Sequence, residues 1–170
     1  PAYMAQLHNF LVTVTQTACE NRQPVQLTVG HGQVTDHVHN RRTPGDIIDP
    51  DLGVLQLCDL AGKPLAIVLN YACHPTCLQS TNQLLSAEYP GIAVAKVAAA
   101  TGAITLFITG AIGDVGPVDR GMESMQAIGQ AIGDEALRVL AEEQFRTENV
   151  AKQDAAHRQP AKLFVNRETI

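Results

Sequence analysis

The sequence predicts an α/β domain, a mixed sheet containing a parallel βαβ unit and flanked by helices. Three stretches predict it. The run LAIVLNYACHP at 65–75 is mostly aliphatic and ends in His74, which is locked against Pro75, the pattern of a strand buried on both faces. SAEYPG then opens the helical stretch IAVAKVAAA, and AITLFIT at 103–109 is a second short apolar strand. Strand, helix, strand in that order makes a crossover whose two strands run parallel, so their carboxyl ends meet on one side of the sheet.

The remaining elements follow in order. Over 3–20, Met4, Leu7, Leu11, Val14 and Ala18 recur at three- and four-residue steps, predicting an amphipathic helix that packs through that stripe. Val25, Leu27 and Val29 alternate with polar residues in a half-buried strand. Gly30 and Gly32 around His31 predict a bulge or bend before a second short piece near Val34. NRRTPGDIIDPD at 40–51 is a surface loop. GVLQLCDL at 53–60 and the turn 61–64 form an antiparallel hairpin with the 65–75 strand. Ser86 caps the helix that follows, and Gly102 stops it. From 122 to 145, Met125, Ile128, Ile132, Ala136, Val139 and Leu140 line one side of a last helix. Gly129 and Gly133 there permit close packing against the sheet.

With 170 residues, 45% hydrophobic and 17% charged, the chain has the material for one core. It divides into a domain at 1–146 and a polar linker at 147–170, in which LFV at 163–165 begins a further segment. A net charge of −5 argues against nucleic acid or an anionic membrane as partner, since both need a basic surface. No apolar run approaches the roughly 18 residues of a membrane span. The four cysteines read as free thiols and leave the compartment open. A start at Pro1 reads as a processed chain or an excised piece, and a missing segment predicts an exposed apolar surface and self-association.

The chemistry concentrates where the two parallel strands end. His74 closes the first, and GAIGDVGP at 110–117 follows the second, with three glycines that let backbone approach a ligand. Asp114 either orients or joins His74 as base or metal partner, or caps the amides of a tight turn. Arg41 and Arg42 offer forked donors to an anionic or carbonyl oxygen. Cys73-His74-x-x-Cys77 lacks the second ligand pair of a zinc site, though its thiols leave a redox reading open. His37-x-His39 adjoins a polar loop, where solvent exposure is the ordinary explanation. Phosphate-loop, dinucleotide and GxSxG patterns are absent.

The order LNYACHPTCL, SAEYPG and FITGAIGDVGP, with NRR and IDPDLGVLQL upstream, resembles the N-terminal catalytic domain of the neutral/alkaline non-lysosomal ceramidases and their bacterial relatives, from about residue 3 to about 141. The resemblance implies a zinc-dependent hydrolase of amide (N-acyl) bonds acting on a lipid-like substrate, as in sphingolipid metabolism. It implies His74 as one zinc ligand, Arg41 with Asn40 as residues binding the substrate, and the amides around Gly113 and Gly116 as oxyanion donors. Two departures accompany it. Gly116 stands where the family has its nucleophilic serine in Gly-Asp-x-Ser-Pro, and the segments carrying the other zinc ligands have no counterpart here. The alternative is a non-catalytic binding or assembly module with the same fold.

Overall fold

The computed structural model describes residues 2–80 and 82–153, with side chains of the last helix described to residue 142. The elements are α1 (Ala2–Glu20), β1 (Gln26–Gln33), β2 (Val38–Asn40), β3 (Asp51–Cys58), β4 (Pro64–Tyr71), α2 (Glu88–Thr101), β5 (Ile104–Thr109), β6 (Val115–Pro117) and α3 (Met122–Gln153). A mixed sheet runs β1-β3-β4-β5, and β2 pairs with β6 in a small second sheet. β1, β3 and β4 pair antiparallel, and β4 and β5 are parallel, so the α/β class and the βαβ unit stand as the sequence predicts.

Local chemistry explains the joints. Asp59 accepts hydrogen bonds from the Ala61 and Lys63 amides in the β3–β4 turn, where Gly62 takes φ 87°. Ser86 Oγ accepts from Glu88 N at 3.0 Å, and Gly102 ends α2 in the left-handed conformation at φ 70°. The core lies on one face of the large sheet. Leu52, Val54, Ile67, Leu69 and Tyr71 point there and meet Ala93 and Val97 of α2 and Ile128, Ile132 and Ala136 of α3. Tyr71 closes it by donating its hydroxyl to Val34 O at 2.6 Å, and Tyr89 donates to Cys73 O.

Five expectations change. β4 is buried on one face only: Ile67, Leu69 and Tyr71 are covered, whereas Ala66 and Val68 are half-buried and Asn70 is exposed. β1 runs without a bulge through Gly30 and Gly32, and at Gly32 the carboxylate of Glu135 from α3 lies where a side chain would stand; the irregularity falls at Leu57/Cys58. α1 forms as its spacing predicts but buries no residue. Gly129 and Gly133 face α2, where Ile92 and Lys96 approach them, rather than the sheet. α3 continues to Gln153, seven residues into the stretch read as linker, and the LFV segment lies outside the described residues.

Because residues opposite one another in a ladder share a face, the second face of the sheet can be followed across all four strands. Val29, Leu55, Val68 and Leu106 form one row, and Leu27, Leu57, Ala66 and Ile104 the next. A third row, His31, Gly53, Asn70 and Ile108, is mixed. No described helix covers this face: Val29 is 51%, Ile104 70% and Leu106 53% exposed.

Candidate functional site

β4 carries the chain to His74, and β5 carries it to the glycine-rich turn. The small sheet then joins this end to the loop after β2, with Asn40 opposite Val115 and His39 opposite Gly116. Further bonds lock the strands: Arg41 N donates to Asp114 O at 2.7 Å, and His74 N donates to Val115 O at 3.1 Å. Thus His74, Asn40, Arg41, Gly113, Asp114 and Gly116, more than seventy positions apart at the extremes, lie at one end of the fold.

Asn40 is the buried centre of this arrangement at 4% exposure. Its Oδ1 accepts from Arg42 N and Thr43 N, both at 3.0 Å, and its Nδ2 donates to Asp114 Oδ2 at 3.1 Å and to Ile47 O at 3.3 Å. An amide side chain has two donors and two lone pairs, so the fold uses all of them and Asn40 acts by positioning its neighbours. The Asp114 carboxylate is held by Asn40, and among the described residues no hydrogen bond joins it to His74. Arg41 donates from Nη2 to Gly113 O at 3.0 Å, one of its five N–H groups. Gly116 is buried and open on one side: a Cβ there would meet Arg41 Cδ at 3.5 Å, an ordinary contact.

One residue escaped the sequence reading. Arg120, just beyond the glycine turn, donates to Thr76 O and to Thr76 Oγ1 at 3.0 Å and so ties the loop after His74 to the start of α3. The proline-terminated motif ends three residues before it, and nothing local marks it except an arginine in a turn. Partial burial, then the positive charges of Arg41 and Arg120, lower the His74 pKa below its ordinary 6.5. At neutral pH its imidazole is uncharged, with a lone pair to offer a proton or a metal ion.

The thiol reading meets a physical obstacle. Cys73 and Cys77 are fully buried, and burial with their mutual proximity pushes Cys73 up to about 12; burial and Glu88 push Cys77 up to about 11. Neither is a thiolate at neutral pH, the form that redox exchange requires. Zinc fits no better on the described residues, since among them no three His, Cys, Asp or Glu side chains come together as a ligand set. No described helix is long and apolar enough to cross a membrane.

Two solved structures share this architecture. A neutral ceramidase from Pseudomonas aeruginosa matches with a TM-score of 0.62 and 22% identity, over 72% of this chain and 23% of its own. A ceramidase complexed with C2 matches with a TM-score of 0.62 and 21% identity over the same shares. This chain therefore spans about a quarter of the length of either protein. No protein-family model matches the chain, and no curated protein does. At such identities the likeness speaks for the backbone, and the chain has a ceramidase-like α/β fold.

Proposed function

We propose that the chain is part of a ceramidase-like hydrolase of amide (N-acyl) bonds, its α/β portion running on through α3 to Gln153. The observation that carries this reading is His74, three residues beyond the carboxyl end of β4, hydrogen-bonded through its amide to the turn holding Gly116. The described residues do not make a zinc site by themselves, so the metal dependence implied by the resemblance requires ligands from outside them. What this chain supplies is narrower. His74 accepts a proton, Arg41 and Arg120 present guanidinium donors to a carbonyl oxygen or its developing negative charge, and Asn40 with Asp114 fixes the turn.

A fluorogenic short-chain N-acyl amide tests this. His74→Ala is expected to lower turnover about 100-fold, the usual contribution of a positioned base. Because the His74 pKa is depressed, the wild-type rate should hold as pH falls toward 6.5 and drop only below it. An unchanged rate in His74→Ala removes the residue from the reaction.

A second reading, a binding module without catalysis, is favoured by Gly116, which offers no nucleophile. Gly116→Ser separates the two. A Cβ at Gly116 makes only an ordinary contact with Arg41 Cδ at 3.5 Å, so the variant is expected to fold, with stability within about 1 kcal/mol of wild type. Under the hydrolase reading the serine hydroxyl raises turnover at least about tenfold. A well-folded Gly116→Ser protein that binds the amide without cleaving it favours the module.

A further inference from the structure

We infer that Glu88 is a positioning residue: its carboxylate, together with the Tyr89 hydroxyl, clamps the segment 73–78 and sets the direction of the His74 ring. What His74 then does rests on the hydrolase reading; the clamp is geometry alone. Glu88 opens α2 at φ 53°, and among the described residues it is the one non-glycine residue at positive φ. Such a backbone is unfavourable for a residue with a Cβ and persists only where its surroundings impose it.

Two contacts show what imposes it. Glu88 Oε1 accepts from Leu78 N at 2.6 Å, and Tyr89 donates its hydroxyl to Cys73 O. Neighbouring side chains thus grip the chain one residue before His74 and four residues after it. Consecutive residues of a regular helix point about 100° apart, and the left-handed turn at Glu88 lets both reach one segment. A carboxylate in the first turn of a helix is ordinary, since it meets the positive end of the dipole. The dipole explains neither the left-handed φ nor the bond to another loop. Moreover, Glu88 Oε2 is buried without a partner among the described residues. Strain and an unpaired oxygen in one residue mark a demand of geometry rather than of stability.

His74 depends on such a hold. Among the described residues its hydrogen bonds are those of its backbone: His74 N donates to Val115 O at 3.1 Å, and His74 O accepts from Thr76 N at 2.9 Å. The ring therefore points where the segment is held. Beyond Pro75 the holds are Arg120 on Thr76, Gly121 N on Cys77 O at 2.8 Å, and Glu88 on Leu78. A bond to a carboxylate is stronger than one between neutral groups, so losing the Glu88 contact loosens the far side of the loop.

Three variants of the full 170-residue chain test the clamp. Glu88→Gln keeps an oxygen for Leu78 N, Glu88→Ala removes it, and Glu88→Gly removes it while relieving the left-handed backbone. Each is followed by thermal unfolding, by the NMR signal of the His74 ring, and by turnover of the fluorogenic amide. Positioning predicts that His74 follows the acceptor and not the stability. Glu88→Gln should keep the wild-type ring signal and a kcat within about threefold of wild type. Glu88→Ala and Glu88→Gly should both shift that signal and lower kcat roughly tenfold with KM little changed, the mark of a misplaced reacting group. They should do so although Glu88→Gly unfolds at a higher temperature than Glu88→Ala. A His74 signal unchanged in Glu88→Ala overturns the inference, and so does one that moves equally in Glu88→Gln and Glu88→Ala, the sign of a charge effect alone. A wild-type chain that cleaves no amide removes the hydrolase reading, and the ring signal still decides the clamp.

Discussion

Gly129→Ala is expected to lower the free energy of unfolding by about 2 kcal/mol, although alanine is favoured over glycine in a helix by roughly 1 kcal/mol. The sign turns on the α2–α3 crossing. A Cβ at Gly129 would lie 2.6 Å from Ile92 Cβ and 2.8 Å from Tyr89 O. Neither atom can rotate away, the first being fixed to the α2 backbone and the second being part of it. The helices must therefore separate, and α2 also carries Tyr89, Ala93 and Val97 into the core. Gly133, one turn on, supplies the control. Its added Cβ would meet Lys96 Cδ at 2.7 Å, in a part of the side chain that can move at the expense of its contacts with Asp134 and Gln130, both at 2.6 Å, and would lie 3.2 Å from the fixed Lys96 Cβ, which need give only a few tenths of an ångström. Such surface contacts are worth little, so Gly133→Ala should stay within about 0.5 kcal/mol of wild type. Urea unfolding of the two variants decides it: equal effects would mean that helix propensity, not the crossing, governs these positions.

The same pair shows what the sequence conveys. Glycines at i and i+4 announce close packing, but the partner is set by tertiary geometry, and it is α2 rather than the sheet. The periodicities of α3 and β3 carry true burial information, and every apolar position expected on the inner side of α3 is buried. The stripe of α1 and the apolar run of β4 carry information of another kind. They state which surface resists water, while whether a covering layer exists depends on chain elsewhere, so α1 buries nothing and β4 is covered on one face. The site divides similarly. Asn-Arg-Arg and Gly-Asp-x-Gly-Pro are visible as motifs, but their meeting depends on the β2–β6 pairing, which no local pattern in three-residue strands reveals. Arg120 was invisible because its role comes from a loop forty-four positions away.

Asn40→Ala is expected to cost about 3 kcal/mol and to disorganise the candidate site more than any change to a residue facing solvent. The substitution removes the acceptor of the Arg42 and Thr43 amides and the donors to Ile47 O and to the Asp114 carboxylate. Each neutral bond contributes roughly 1 kcal/mol and the one to a charged group somewhat more, with a shared network making the sum less than additive. Asn40→Asp isolates the last contact. It keeps an oxygen for the two amides but sets a second carboxylate against Asp114 Oδ2, where like charges disfavour joint ionisation. Its destabilisation should accordingly be larger at pH 7 than near pH 4, where one proton relieves the pair, whereas the loss in Asn40→Ala should vary less over that range. Arg41 follows Asn40 in the chain, its amide bonded to Asp114 O and its guanidinium to Gly113 O, so loosening this turn also releases that guanidinium. Thermal unfolding of both variants at the two pH values tests the argument. A flat pH response in Asn40→Asp would show that the Asp114 carboxylate is not held by Asn40, and the positioning role assigned to that side chain would fall with it.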